Sequence, residues 1–120
     1  MNKNMEIKVI KNSISRQDLI DMANEGFGDF VKAAVDISRE IMAVGGELHA
    51  DEEILLMEKE NSRRENTWGI NIYPKKAGDK LIEFDSMINI RPSLGNRSRN
   101  VENPDTREII KKIVRKLITD

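Results

Sequence analysis

Cysteine is absent from this chain of 120 residues, and histidine occurs once. The first absence excludes disulfides, thiolate nucleophiles and cysteine-ligated zinc or iron–sulfur sites. The second leaves a single imidazole, so a tight structural zinc site is not expected, and no cofactor is implied. Aromatics are scarce, with one tryptophan, one tyrosine and three phenylalanines, too few and too scattered for an RNA-binding sheet that stacks bases. Neither sign of charge prevails: 20 Lys and Arg stand against 21 Asp and Glu, for a formal charge of −1. That balance argues against coating nucleic acid through bulk charge, although a local basic patch stays open. No run approaches the roughly 20 apolar residues of a membrane span, and residues 1–13 lack the apolar core of a secretion signal. No membrane partner and a cytoplasmic setting are therefore expected. The sequence has no G-x-S-x-G elbow, so a serine hydrolase is not expected, and the lack of any G-x-x-x-x-G-K excludes a P-loop nucleotide hydrolase.

What the chain does have is enough apolar residue, 38%, to bury a core within one domain spanning residues 1–120. Glu6–Lys11 alternates apolar and polar positions like a strand. A helix should follow over Ser15–Gly26: Ser15 caps it with Asp18 three residues on, Ile14 can staple to Leu19, and Gly26 suits its end. Residues 29–47 fit two patterns. Val31, Ala34, Val35, Ser38 and Met42 have helical spacing, yet Val31, Ala33, Val35 and Ile37 alternate, with "DISRE" as a turn into "IMAV". From Glu52 to Pro74, two β-like runs around "EKENSRREN" predict a hairpin. In its second run Trp68, Ile70 and Ile72 share one face, opposite Thr67, Gly69, Asn71 and Tyr73. A strand over residues 81–91 pairs with it through Tyr73 and Leu81 and extends a polar row of Asn71, Asp85, Asn89 and Arg91. A last helix, Asn103–Thr119, has Asn103 as its cap and Pro104 at its first position. Ile109, Ile110, Ile113, Val114, Leu117 and Ile118 form its apolar face, and Lys111, Lys112, Arg115 and Lys116 its basic one.

The segments "GGELHADEE", "WGINIYP", "IEFDSMINIRP" and "GNRS" together resemble the signature of domain of unknown function 5674, a family of small uncharacterised prokaryotic proteins. The resemblance runs from Asp29 to the last helix and implies no activity. It does imply a valine-rich pattern around Val31–Ile37, with glycine common at the position of Glu40, which favours two strands over one helix there. The expected fold is α+β: a mainly antiparallel sheet of about five strands packed against two helices, Ser15–Gly26 and Asn103–Thr119.

Two stretches carry candidate chemistry. If "ELHADEE" is extended, His49, Asp51 and Glu53 point one way and Glu52 the other. One imidazole and two carboxylates could pair a base with an orienting acid, or more remotely hold a divalent metal; a solvated strand end is the plainer reading. His49, Asp51 and Glu52 are the candidate acid–base residues. The second stretch is "INIRPSLGNRSRN". Pro92 ends the strand, and Gly95 and Asn96 allow a positive-φ turn whose N–H groups converge as an anion nest. Arg91, Arg97 and Arg99 add forked donors. Either these donors knit the loop to Glu83, Asp85 or Glu102, or they await an anionic ligand. The candidate ligand-binding set is Asn71, Asn89, Arg91, Gly95, Asn96, Arg97 and Ser98. The expected function is a pocket for a small polar, anionic ligand, catalytic if His49 meets Arg91 and Arg97 there. The alternative is a non-catalytic module that binds protein or nucleic acid through the arginine loop and the basic face of the last helix.

Overall fold

A computed structural model describes residues 6–120. Strand β1 (Lys8–Ile10) leads through the short β2 (Ile14–Ser15) into helix α1 (Arg16–Glu25), whose cap is formed by the Ser15 hydroxyl accepting the Asp18 N–H at 3.0 Å. Strands β3 (Val31–Asp36) and β4 (Ile41–Val44) follow. The turn between them is made by the Asp36 carboxylate, which accepts the N–H groups of Ser38 and Arg39, and by Glu40 at φ 58°. A left-handed residue there explains why two strands, and not one helix, form. Helix α2 (His49–Glu60), β5 (Thr67–Ile72), β6 (Ile82–Glu83), α3 (Pro104–Leu117) and β7 (Ile118–Thr119) complete the chain.

Five strands form an antiparallel sheet in the order β1-β4-β3-β5-β6, while β2 and β7 pair in parallel and tie the end of α3 to the start of α1. The register at the β5–β6 edge is the expected one: Ile72 faces Ile82, and Tyr73 N–H donates to the Leu81 carbonyl at 2.8 Å. Leu19 and Ala23 of α1, with Ile110, Ile113, Val114 and Leu117 of α3, bury against Val31, Ala33, Val35, Met42, Val44, Ile70 and Ile72. On the opposite face Leu56 of α2 packs on Ala34, Ile41 and Ala43. Among the described residues no helix is long and apolar enough to cross a membrane.

Three expectations are corrected. The run at residues 52–57 is helix, not the first strand of a hairpin, so three helices and not two cover the sheet, with α2 on the face opposite α1 and α3. Its inward positions, His49, Glu52, Glu53 and Leu56, follow the helical i, i+3, i+4, i+7 spacing. Three of these four are polar, so a hydrophobicity pattern conceals the period. Next, β6 stops at Glu83 instead of running to Arg91. A Cβ on Gly69 would lie 2.5 Å from Ser86 Cβ, so the chain crosses over β5 at its one residue without a side chain. It then makes 3-10 turns at Met87–Asn89 and Pro92–Leu94. Last, α3 ends at Leu117, and Ile109 is 42% exposed, outside the apolar face assigned to it.

Candidate functional site

The site forms where α2 begins above the sheet, at a pocket of about 420 Å³. Helix α2 opens on Leu48, which caps it with no side-chain hydrogen bond, and Leu48, His49 and Ala50 all line the pocket. The sheet floor contributes Lys32 from β3 and Asn71 from β5, which are direct cross-strand partners on one face. Glu83, Asp85 and Ser86 close it along the segment leaving β6, with Phe30, Met87 and Arg99 at its rim.

His49 is 8% exposed, and its Nε2 lies 2.8 Å from the Ile70 carbonyl. A carbonyl only accepts, so Nε2 carries the proton and Nδ1 of the neutral ring keeps a lone pair. Burial holds the imidazole pKa below its ordinary value of 6.5, and the Lys32 ammonium adds to this; the Ile70 carbonyl, Asn71 and Asp85 oppose it. The neighbouring Asn71 is oriented by its amide nitrogen, which donates to Glu83 Oε1 at 2.8 Å and to the Asp85 carbonyl at 3.5 Å. Its Oδ1 is buried and has no hydrogen-bond partner among the described residues. Tyr73 donates its hydroxyl to the same Glu83 oxygen at 3.3 Å. Lys32 stands 4.9 Å over the Phe27 ring and, among the described residues, has no ion-pair partner. An ion pair between Arg99 and Asp85, at 2.7 Å, divides the pocket from an open groove lined by Tyr73, Phe84 and Arg107. The arrangement combines a base in a dry setting, an unpaired cation and an uncapped helix N-terminus.

Helical geometry separates the three acid–base candidates. Asp51 is exposed on the outer side of α2, whereas Glu52 is fully buried and turned away from the pocket lining. The Glu52 Oε2 accepts the Gly46 N–H at 2.9 Å, and burial pushes its pKa well above the ordinary carboxyl value, against the opposing pull of that N–H and of Lys32. Glu53 joins Arg91 at 2.6 Å and Arg64 at 3.4 Å. Among the described residues no cluster of three or more His, Asp or Glu side chains is arranged to hold a metal.

Of the ligand-binding candidates, only Asn71 lines the pocket with His49. Asn89 is spent on the backbone of Gly69 and Arg99, and Arg91 on Glu53 beneath the Trp68 ring. Gly95 takes φ 82° as its turn requires. The nest beyond it already holds an anion, Glu102, whose Oε2 accepts Arg97 N–H at 3.0 Å, Ser98 N–H at 2.8 Å and the Ser98 hydroxyl at 2.6 Å. Asn96, 4% exposed, ties the loop together through the Asn89, Ser98 and Asn100 carbonyls. The Arg91 guanidinium is thus held by Glu53, whereas Arg97 meets Glu102 through its backbone N–H, and the two residues share no carboxylate. Sequence reasoning missed Lys32, Glu83 and Arg99 as pocket residues. Lys32 carried a signal, being the one charged side chain on the polar phase of "VKAAV".

Residues 8–117 match the family model described as a protein of unknown function, DUF5674. No curated protein and no solved structure matches the chain.

Proposed function

We propose, for a chain that belongs to the DUF5674 family of proteins of unknown function, that the pocket around His49 binds a small, polar, anionic ligand and that His49 accepts a proton from it. The observation that carries this is the state of His49: a nine-tenths-buried neutral imidazole whose Nε2 is committed to a backbone carbonyl, leaving Nδ1 as a base beside an unpaired Lys32. Lys32 and the N-terminal turn of α2 supply the positive potential that an anion needs. The alternative, a surface module reading protein or nucleic acid, has less in its favour. Arg99 and Lys116 are paired with Asp85 and Glu40, and the loop N–H groups with Glu102.

The test is mass spectrometry of small molecules released from purified protein. Wild type should release a small anion that is missing from Lys32→Met. Equal release from both proteins, or none from either, would overturn the reading.

A further inference from the structure

Exposed apolar side chains scattered singly over a surface are ordinary. Here the two greatest exposures coincide. Among the described residues the most exposed large apolar side chains are Met87, at 66%, and Leu48, at 53%, and both line the His49 pocket. They come from separate elements: Leu48 caps α2, and Met87 opens a 3-10 turn that packs near that helix. Neither belongs to the two apolar clusters that hold the sheet, so the core does not account for them. Phe30, Ala50 and Ile88 continue the apolar part of the lining.

The charges of the pocket differ in how far they are committed. Asp85 is paired with Arg99 at 2.7 Å, and Glu83 Oε1 accepts from the Asn71 amide at 2.8 Å and the Tyr73 hydroxyl at 3.3 Å. Lys32 has no ion-pair partner among the described residues. The pocket therefore offers one uncommitted positive charge, which a single carboxylate matches. A compact anion such as phosphate would leave Leu48 and Met87 in water and gain nothing from them. The volume, about 420 Å³, has room for a body beyond the charged head.

We infer that the ligand is a short aliphatic monocarboxylate, its carboxylate at Lys32 and its chain against Leu48 and Met87. This rests on the reading of the pocket as an anion site and adds an apolar body to the ligand. Lys32 selects the charge, and the two apolar side chains select the chain. Met87 suits that task, because an unbranched thioether adapts to a flexible chain.

The experiment titrates acetate, butyrate, hexanoate, 1-hexanol and inorganic phosphate into wild-type protein while following the imidazole signals of its single histidine by NMR. All three carboxylates should move the His49 signals, and affinity should rise at least about tenfold from acetate to hexanoate as methylenes leave water. Hexanol, which has the same chain without the charge, should bind more weakly than hexanoate. Met87→Ser should shrink the gain from acetate to hexanoate, and its exposure means that the change leaves the core intact. Equal affinity along the series, an undiminished gain in Met87→Ser, or a response to phosphate alone would overturn this inference while leaving an anion pocket at His49. Hexanol binding as tightly as hexanoate would overturn both this inference and the anion reading. If none of the five moves the His49 signals, both fall as well.

Discussion

The side-chain amide of Asn89 pairs with both backbone groups of Gly69, accepting its N–H at 2.8 Å and donating to its carbonyl at 2.9 Å. The β5 edge continues past the point where β6 leaves it, and Asn89 supplies there the hydrogen bonds that a neighbouring strand would make. Asn89→Ala leaves a buried donor and a buried acceptor unpaired and should destabilise the protein by roughly 2–5 kcal/mol, measured by denaturant unfolding. A change within experimental error would mean that water or a relaxed backbone replaces the amide.

Arg91 and Glu53 form a buried pair whose side chains are 9% and 6% exposed. Burial raises the Glu53 pKa more than Arg91 and Arg64 lower it, and burial lowers that of Arg91, so desolvation outweighs attraction at both ends. Arg91→Met alone should cost about 3–5 kcal/mol, because it strands a carboxylate. The double variant Arg91→Met, Glu53→Leu should recover most of that loss. Denaturation midpoints of the single and double variants check this, and additive losses would refute it.

Glu52 gives a pH dependence. Its carboxyl is fully buried, one oxygen has no partner, and burial raises its pKa against the opposing Gly46 N–H and Lys32, with Asp51 adding to the rise. An acid with a raised folded pKa contributes stability that is fully present below the unfolded carboxyl value and is lost as pH rises through the folded value. Glu52→Gln should therefore be more stable than wild type in neutral and alkaline buffer and less sensitive to pH. Melting temperatures across the pH range decide it, and parallel curves for the two proteins would show that Glu52 does not titrate there.

Glu102 fills the nest of the arginine loop, and the Ser98 hydroxyl, ahead of the Arg97 and Ser98 N–H groups, holds its pKa below the usual carboxylate value. Phosphate should therefore give no specific stabilisation through this loop in wild type, and Arg97→Ala should leave phosphate sensitivity unchanged. Glu102→Ala should vacate the nest and create such a response. Thermal shifts in phosphate against chloride at equal ionic strength read it out, and a phosphate gain that Arg97→Ala removes would restore the loop as an external anion site.

The parts of the fold that were legible in the sequence are those where side-chain chemistry and burial agree. Ser15 and Asn103 cap their helices as their residue types dictate, and the alternation of Trp68, Ile70 and Ile72 fixes the face of β5. Legibility failed where polar residues face inward. Helix α2 turns His49, Glu52 and Glu53 to the sheet, so an apolar-periodicity argument saw only Ile54–Met57 and assigned a strand. The alternation through Ile88 and Ile90 misled for the opposite reason, since Ile90 is 38% exposed in a turn. Among site residues, His49 and Asn71 were legible because a lone imidazole and an asparagine on a buried strand both require partners. Lys32 was legible only as a charge on the polar phase of its strand; that it stands beside Asn71 at the candidate pocket follows from the cross-strand register, which is a tertiary fact.

The central claim is that His49 is a neutral base with its proton on Nε2. Long-range ¹H–¹⁵N spectra of the single imidazole report both tautomer and titration. The account predicts the Nε2–H tautomer at neutral pH and a midpoint below 6.5, the ordinary histidine value, reflecting burial and Lys32. An Nδ1–H tautomer, or a midpoint at or above that value, would contradict it.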